Sequence, residues 1–178
     1  MRSLPCLALA AALALATCSQ PTKRYDYPAW GFAAAFPTPP KVTETPASAD
    51  GATAHSLLVE TDNGAEDLVI FVADGAKSGK TLDEFTDAVG PILAQSVGGK
   101  LQGKTYVATV QTENQALGRE ITITKNDRPL VFVRVYQVGG RFYEVTGKSI
   151  LGPDDPTEKA FLDSFVILPG APAATNSP

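Results

Sequence analysis

The sequence predicts an α+β fold, with a mostly antiparallel β-sheet and helices packed on it. Three observations carry that expectation. Apolar residues recur with period two over most of residues 31–168, one capped amphipathic helix interrupts them at 81–97, and a short helix leads into a last apolar run.

GFAAAFP (31–37) is a short apolar run closed by Pro37, and Pro39-Pro40 imposes extended or turn geometry after it. Lys41 to Thr45 alternates weakly and reads as a second strand. SLLVET (56–61) and DLVIFVA (67–73) flank DNGAE, a turn-forming loop, and read as paired strands. Thr81 followed by Glu84 predicts a capping box, in which each side chain satisfies a free amide at the helix start. Leu82, Phe85, Val89, Ile92, Leu93 and Val97 recur at helical spacing as one apolar face. Gly90-Pro91 should kink this helix and Gly98-Gly99 should end it.

Strands are then expected at Tyr106 to Val110, Leu117 to Thr124 and Leu130 to Val138. Gly139-Gly140 fits a type I′ hairpin, whose two central residues both need positive φ. That turn places Val138 opposite Arg141, Tyr136 opposite Tyr143, and Arg134 opposite Val145. Asp155-Pro156-x-Glu158 supplies an N-cap, a proline at the first helical position and an acidic first turn. The short helix carries Ala160, Phe161 and Phe165 and runs into Val166 to Leu168.

Composition excludes several classes. The 178 residues fit one domain with tails, and 44% hydrophobic against 19% charged residues is an ordinary globular balance. Fifteen basic and nineteen acidic residues give a net charge of −4 with no basic stripe, so nucleic acid is not an expected partner. One His and two Cys cannot assemble a multi-ligand His/Cys metal centre, and neither metal nor cofactor is expected.

Residues 1–17 read as a secretory signal: Arg2 precedes an apolar run from Leu4 to Ala16 that is too short to span a bilayer of about 30 Å. Leu15-Ala16-Thr17-Cys18 resembles the bacterial lipobox, in which the cysteine is acylated and becomes the first mature residue; Thr17 departs from the usual Gly, Ala or Ser. The rival is a plain cut after Ala14-Leu15-Ala16, which would leave Cys18 as a lone thiol in an oxidising compartment. Lipidation of Cys18 is the favoured reading, and Ser19 after it looks like an outer-membrane address facing the periplasm. With Cys6 removed, the mature chain has no disulfide, and losing Arg2 leaves fourteen basic against nineteen acidic residues. Residues 18–30 are expected to be the lipidated cysteine and a polar tether, 31–168 the folded domain, and 169–178 a disordered Pro/Ala/Ser tail.

GFAAAFP, VGGKLQGK, ALGREITI, RVYQVGGRFYEVTG and FLDSFVIL follow one another in an order that resembles small bacterial exported proteins of the PsbP-like type. The family takes its name from an extrinsic subunit of photosystem II, and a Ran-binding nuclear-transport factor shares its α-β-α sandwich. Gly118-Arg119-Glu120, Gly140-Arg141-x-Tyr143 and Phe161-Leu162-Asp163-Ser164-Phe165 carry the likeness across about residues 31–168. The resemblance implies that fold and an accessory or binding role; many bacterial members are lipoproteins of unassigned role. No match to the photosystem subunit's metal-binding His occurs, so calcium or manganese work is not implied.

Motifs for catalysis are poor. Asp74 to Thr81 (DGAKSGKT) invites comparison with a phosphate loop, but Gly75 to Gly79 is one residue too close, and the correct spacing puts Asp74 in the first position, adding negative charge near a phosphate. Nucleotide binding is therefore not expected. His55 is the only histidine; Ser56 beside it on a strand points to the opposite face, and no G-x-S-x-G elbow exists. Asp83-Glu84 and Asp154-Asp155 are better explained as helix N-terminal acids than as a catalytic pair. An enzyme is not expected. Candidate partner-binding residues are Tyr136, Tyr143, Arg134 and Arg141 on one sheet face, and Tyr25 and Tyr27 ahead of the domain; a cross-strand packing pair is the plainer account of Tyr136 and Tyr143. Trp30 and Phe32 are expected to lay the first strand on the core. The function expected is an exported, lipid-anchored envelope protein that binds a protein partner. The alternative is a periplasmic small-ligand carrier with a pocket between the sheet and the helix kinked at Gly90-Pro91.

Overall fold

The computed structural model describes residues 22–48, 54–62, 64, 66–74, 79–108, 116–149 and 155–170. The alternating runs pair into two antiparallel sheets. The larger has seven strands: β3 (Lys41–Thr45), β4 (Ser56–Asp62), β5 (Glu66–Asp74), β6 (Lys100–Ala108), β7 (Leu117–Lys125), β8 (Arg128–Val138) and β9 (Arg141–Ser149). Their spatial order is β3-β4-β5-β9-β8-β7-β6. The chain builds β3-β4-β5 as a meander, crosses to the far edge through α1 (Leu82–Ser96), and returns strand by strand until β9 lies beside β5. The smaller sheet is β1 (Lys23–Tyr27), β2 (Phe32–Phe36) and β10 (Val166–Ile167), with β2 in the middle.

The two faces of the large sheet carry different layers. Ile121, Ile123, Val131, Val133 and Val135 point to α1, meeting Leu82, Phe85, Leu93 and Val97. The innermost helix positions are small (Thr86, Gly90 and Ala94), which lets α1 lie close to the strands. On the other face, Leu57, Val59, Leu68, Ile70, Val72, Tyr136, Tyr143 and Val145 pack against Phe32 and Phe36 of β2 and Phe161 and Phe165. α2 (Pro156–Ser164) belongs to this second layer. Each fully buried aromatic or branched side chain there is worth about 1.5–3 kcal/mol over leaving it exposed.

The helix ends follow their sequence signals. Thr81 Oγ1 accepts from the Glu84 amide while the Glu84 carboxylate accepts from the Thr81 amide, completing the capping box. The Thr81 amide and the Thr81 hydroxyl, both donating to Glu84 Oε2, hold the Glu84 carboxyl below its ordinary range. Thr81→Ala should cost about 1 kcal/mol in a urea melt; an unchanged midpoint would remove the cap from the account. At the other end Gly98 takes φ 64°, and Gly98 and Gly99 donate to Gln95 and Ala94, a Schellman closure. α1 continues through Pro91 to Ser96, so the proline does not end it. Ile92 is 65% exposed, contrary to the face expected for it, because the inward arc is already filled by residues 86, 90, 93 and 97.

Gly139 and Gly140 both take positive φ, and the β8–β9 register is as expected: Val138 faces Arg141, Tyr136 faces Tyr143, and Arg134 faces Val145. Asn126 and Asp127 make a second turn with φ 53° and 60°, a conformation these short polar side chains tolerate.

Two boundaries differ from expectation by more than two residues. The domain begins at Lys23 rather than at residue 31: Lys23–Tyr27 pairs along its full length with β2, so only the chain up to Thr22 remains for a tether. β6 begins at Lys100 rather than Tyr106, since an irregularity between Leu101 and Gly103 breaks the period-two pattern. The signal segment, Cys18 and residues 171–178 of the tail lie outside the described residues.

Candidate functional site

Half of the expected partner residues are interior. Tyr136 and Tyr143 are 1% and 0% exposed and Arg141 is 2% exposed, so these three form core and cannot face a partner. Tyr136 stacks on Phe165, and its ring lies over Gly118, where a methyl would sit 2.5 Å from Tyr136 Cδ1. A glycine is therefore required there for close approach. Burial pushes the Tyr136 phenol up to about 12. Tyr25 and Tyr27 are half-buried against Phe36 and Phe32, fastening β1 to the core, and Trp30 and Phe32 are fully in it.

Arg141, Asp74, His55 and Trp30 close one end of this layer. Arg141 Nε donates to Asp74 Oδ1 at 2.7 Å, and its guanidinium lies 4.8 Å from the Trp30 ring centroid. Tyr143 Oη donates to the Trp30 carbonyl at 3.0 Å. His55 stacks on Trp30 at 4.5 Å and sits between Glu44 Oε1 at 2.8 Å and Asp74 Oδ2 at 3.3 Å. The histidine thus ties β3 to β5, a structural role. Thr81, at the end of the phosphate-loop-like segment, caps α1, while residues 75–78 lie outside the described residues. Asp83 pairs with Arg119, and Asp155 caps α2 by accepting from the Thr157 amide; Asp154 lies outside the described residues. Among the described residues no three His, Cys, Asp or Glu side chains group to hold a metal.

Arg134, partly exposed, stands beside open space. It lines a cavity of about 170 Å³ between α2 and strands β7 and β8, with Glu120, Phe132, Glu158, Lys159 and Leu162. Arg134 donates to Glu120 Oε2 and Asp163 Oδ1, each at 2.8 Å, and Lys159 Nζ donates to Asp163 Oδ2 at 2.9 Å. The inner wall is unlike the rest. Glu158 is 3% exposed, and its Oε1 has no hydrogen-bond partner among the described residues. Its side chain lies on Gly147 of β9, where a methyl would stand 2.7 Å from Glu158 Cγ. Burial first, then the charge of Asp155, push the Glu158 carboxyl up to about 7; a hydrogen bond from the Phe132 backbone amide opposes the shift, and Glu66 adds to it.

This site was missed in the sequence, where Glu158 reads as an acidic first turn. The signal was available: Glu158 precedes Phe161 by three and Leu162 by four residues, which puts it on the buried face. The pocket expected at Gly90-Pro91 is not formed there. A methyl on Gly90 would touch Leu101 and Ile121 at 3.5–3.6 Å, so helix and sheet are already in contact, and the cavity lies on the opposite sheet face.

No protein-family model and no curated protein matches the sequence. Among solved structures the chain is similar to the solution structure of cyanobacterial PsbP (CyanoP) from Synechocystis sp. PCC 6803, with a TM-score of 0.51 and 14% identity over 85% of this chain and 95% of that one. That likeness concerns the fold. Two helices on opposite faces of an antiparallel sheet, in the order the resemblance implied, make this a PsbP-like fold.

Proposed function

We propose that the chain is an exported protein, held to the bacterial outer membrane through lipid on Cys18, whose domain works by non-catalytic binding within an envelope protein assembly. The observation that supports the binding role is what the polar residues do. His55, Arg141, Asp74, Thr81, Glu84 and Asp155 each have a partner within the fold. The anchor rests on Leu15-Ala16-Thr17-Cys18 and Ser19. β1 begins at Lys23, so the chain from Cys18 reaches at most about 18 Å, which would hold the domain close to the membrane.

Cys18→Ala tests the anchor: in a fractionated envelope the variant should leave the membrane pellet for the soluble periplasm. Unchanged pelleting after a carbonate wash would reject lipidation. In-cell crosslinking of the native protein should return one stoichiometric envelope partner, and a protein recovered without any partner would reject the accessory role. A second reading, small-ligand binding, is favoured by one observation, the cavity under α2 with its buried Glu158.

A further inference from the structure

His55 is held between two carboxylates, one at each ring nitrogen. Its Nε2 lies 2.8 Å from Glu44 Oε1 of β3, and its Nδ1 lies 3.3 Å from Asp74 Oδ2 of β5. An ionised carboxylate only accepts hydrogen bonds, and a neutral imidazole carries a single N–H. The ring therefore serves both sides only as the doubly protonated imidazolium; once a proton is lost, one nitrogen turns its lone pair toward a carboxylate oxygen. The two carboxylates are unequal. The Asp74 side chain is 7% exposed and also accepts from Arg141, whereas the Glu44 side chain is 55% exposed, so water can replace its partner. Among the described residues the charged groups around the ring are Glu44, Asp74 and, through Asp74 and the shared Trp30 ring, Arg141. Glu44 belongs to an edge strand. β3 pairs only with β4, all five of its residues are exposed, and its other side-chain ion pair among the described residues is the exposed Lys41–Glu60.

We propose that His55 is a proton-operated fastening for strand β3. Protonated, it bridges Glu44 to Asp74 and holds the edge strand to the sheet. Deprotonated, it keeps its remaining proton on Nδ1 for the buried Asp74 and releases Glu44 to water. The strand that loosens forms the open edge of the seven-stranded sheet, so the proton sets how firmly that edge is ordered. The device goes beyond the anchor and binding readings and depends on neither.

The test follows the 15N-labelled full chain by NMR through the imidazole titration, with the protein purified in detergent without a histidine tag. His55 is the chain's only histidine, so its ring signals are read without overlap. Exchange of the β3 amides, corrected for its intrinsic pH dependence, should rise about two- to fivefold as the ring loses its proton, with the same midpoint. That size is set by the partial exposure of the His55–Glu44 pair. The 15N shifts of the neutral ring should place its proton on Nδ1. Glu44→Gln should flatten the β3 response, because its amide donates to a bare Nε2 and accepts from a protonated one. Glu158 titrates in both proteins and cancels in the comparison. β3 exchange that ignores the imidazole titration, a neutral ring protonated on Nε2, or the same pH response in a folded Glu44→Gln would each overturn the proposal. The first two readouts use the wild type alone and stand whatever the variant does.

Discussion

Arg141→Ala is expected to remove about 3–5 kcal/mol of stability, the characteristic cost of withdrawing one partner from a buried ion pair. The side chains of Arg141 and Asp74 are 3% and 7% exposed, so water cannot take over the solvation of whichever charge remains. Three further contacts go with the guanidinium: the Ala29 carbonyl loses a donor, the Trp30 ring loses its cation, and packing over the ring is lost. The cation–π contact is worth about 0.5–2 kcal/mol, so the stranded Asp74 carboxylate dominates the loss. His55 Nδ1, at 3.3 Å from Asp74, offsets part of that loss.

The controls distinguish charge from packing. Arg141→Lys keeps the charge but loses the planar fork that reaches Asp74 and Ala29 together, and should fall between wild type and Ala. The double variant Arg141→Met with Asp74→Asn should be clearly more stable than Arg141→Met alone, since no charge is then left buried. Urea melts of the wild type and the four variants decide it. A loss under 1 kcal/mol for Ala, or a double variant no better than the single, would show that the pair is not energetically central.

Much of this architecture was legible because it is local. The Thr81/Glu84 box, the Asp155-Pro156 helix start and the Gly139-Gly140 turn are short-range devices, and the turn alone set the register of β8 against β9. The division of the strands into two sheets was not legible, since β2–β10 pairing joins residues more than a hundred positions apart. β1 was hidden for another reason. KRYDY carries three charges in five residues, and it folds as an edge strand whose two tyrosines alone turn inward. Arg141 and Tyr143 were read as a surface because the sequence shows which sheet face they share and not what covers it. The layer that buries them, β2 with Phe165, comes from the two ends of the chain.

Glu158 sets the second large prediction: its carboxyl should cost the folded protein about 3 kcal/mol at pH 8 that it does not cost at pH 4. Unfolded, the group ionises near 4.5, and folded near 7, with each unit worth about 1.36 kcal/mol. Below about 4.5 both states hold the proton, and the group is neutral to stability. Between about 4.5 and 7 the unfolded chain releases its proton while the folded chain retains it, so stability falls as pH rises. Above about 7 both are ionised and the cost stays at its full value. Glu144 is shifted the same way by burial, so the wild-type profile alone does not isolate Glu158. Asp163 is held low by Lys159 and Arg134 against its own burial, and its contribution is lost only in acid below about 3.8. Glu158→Gln separates these terms. The variant should match wild type within about 1 kcal/mol near pH 4 and exceed it increasingly up to pH 7, by about 3 kcal/mol at pH 8. Urea melts at pH 4, 6 and 8 measure the difference. If it stays constant across that range, Glu158 does not titrate within it, and the carboxyl has found a donor that leaves it ionised.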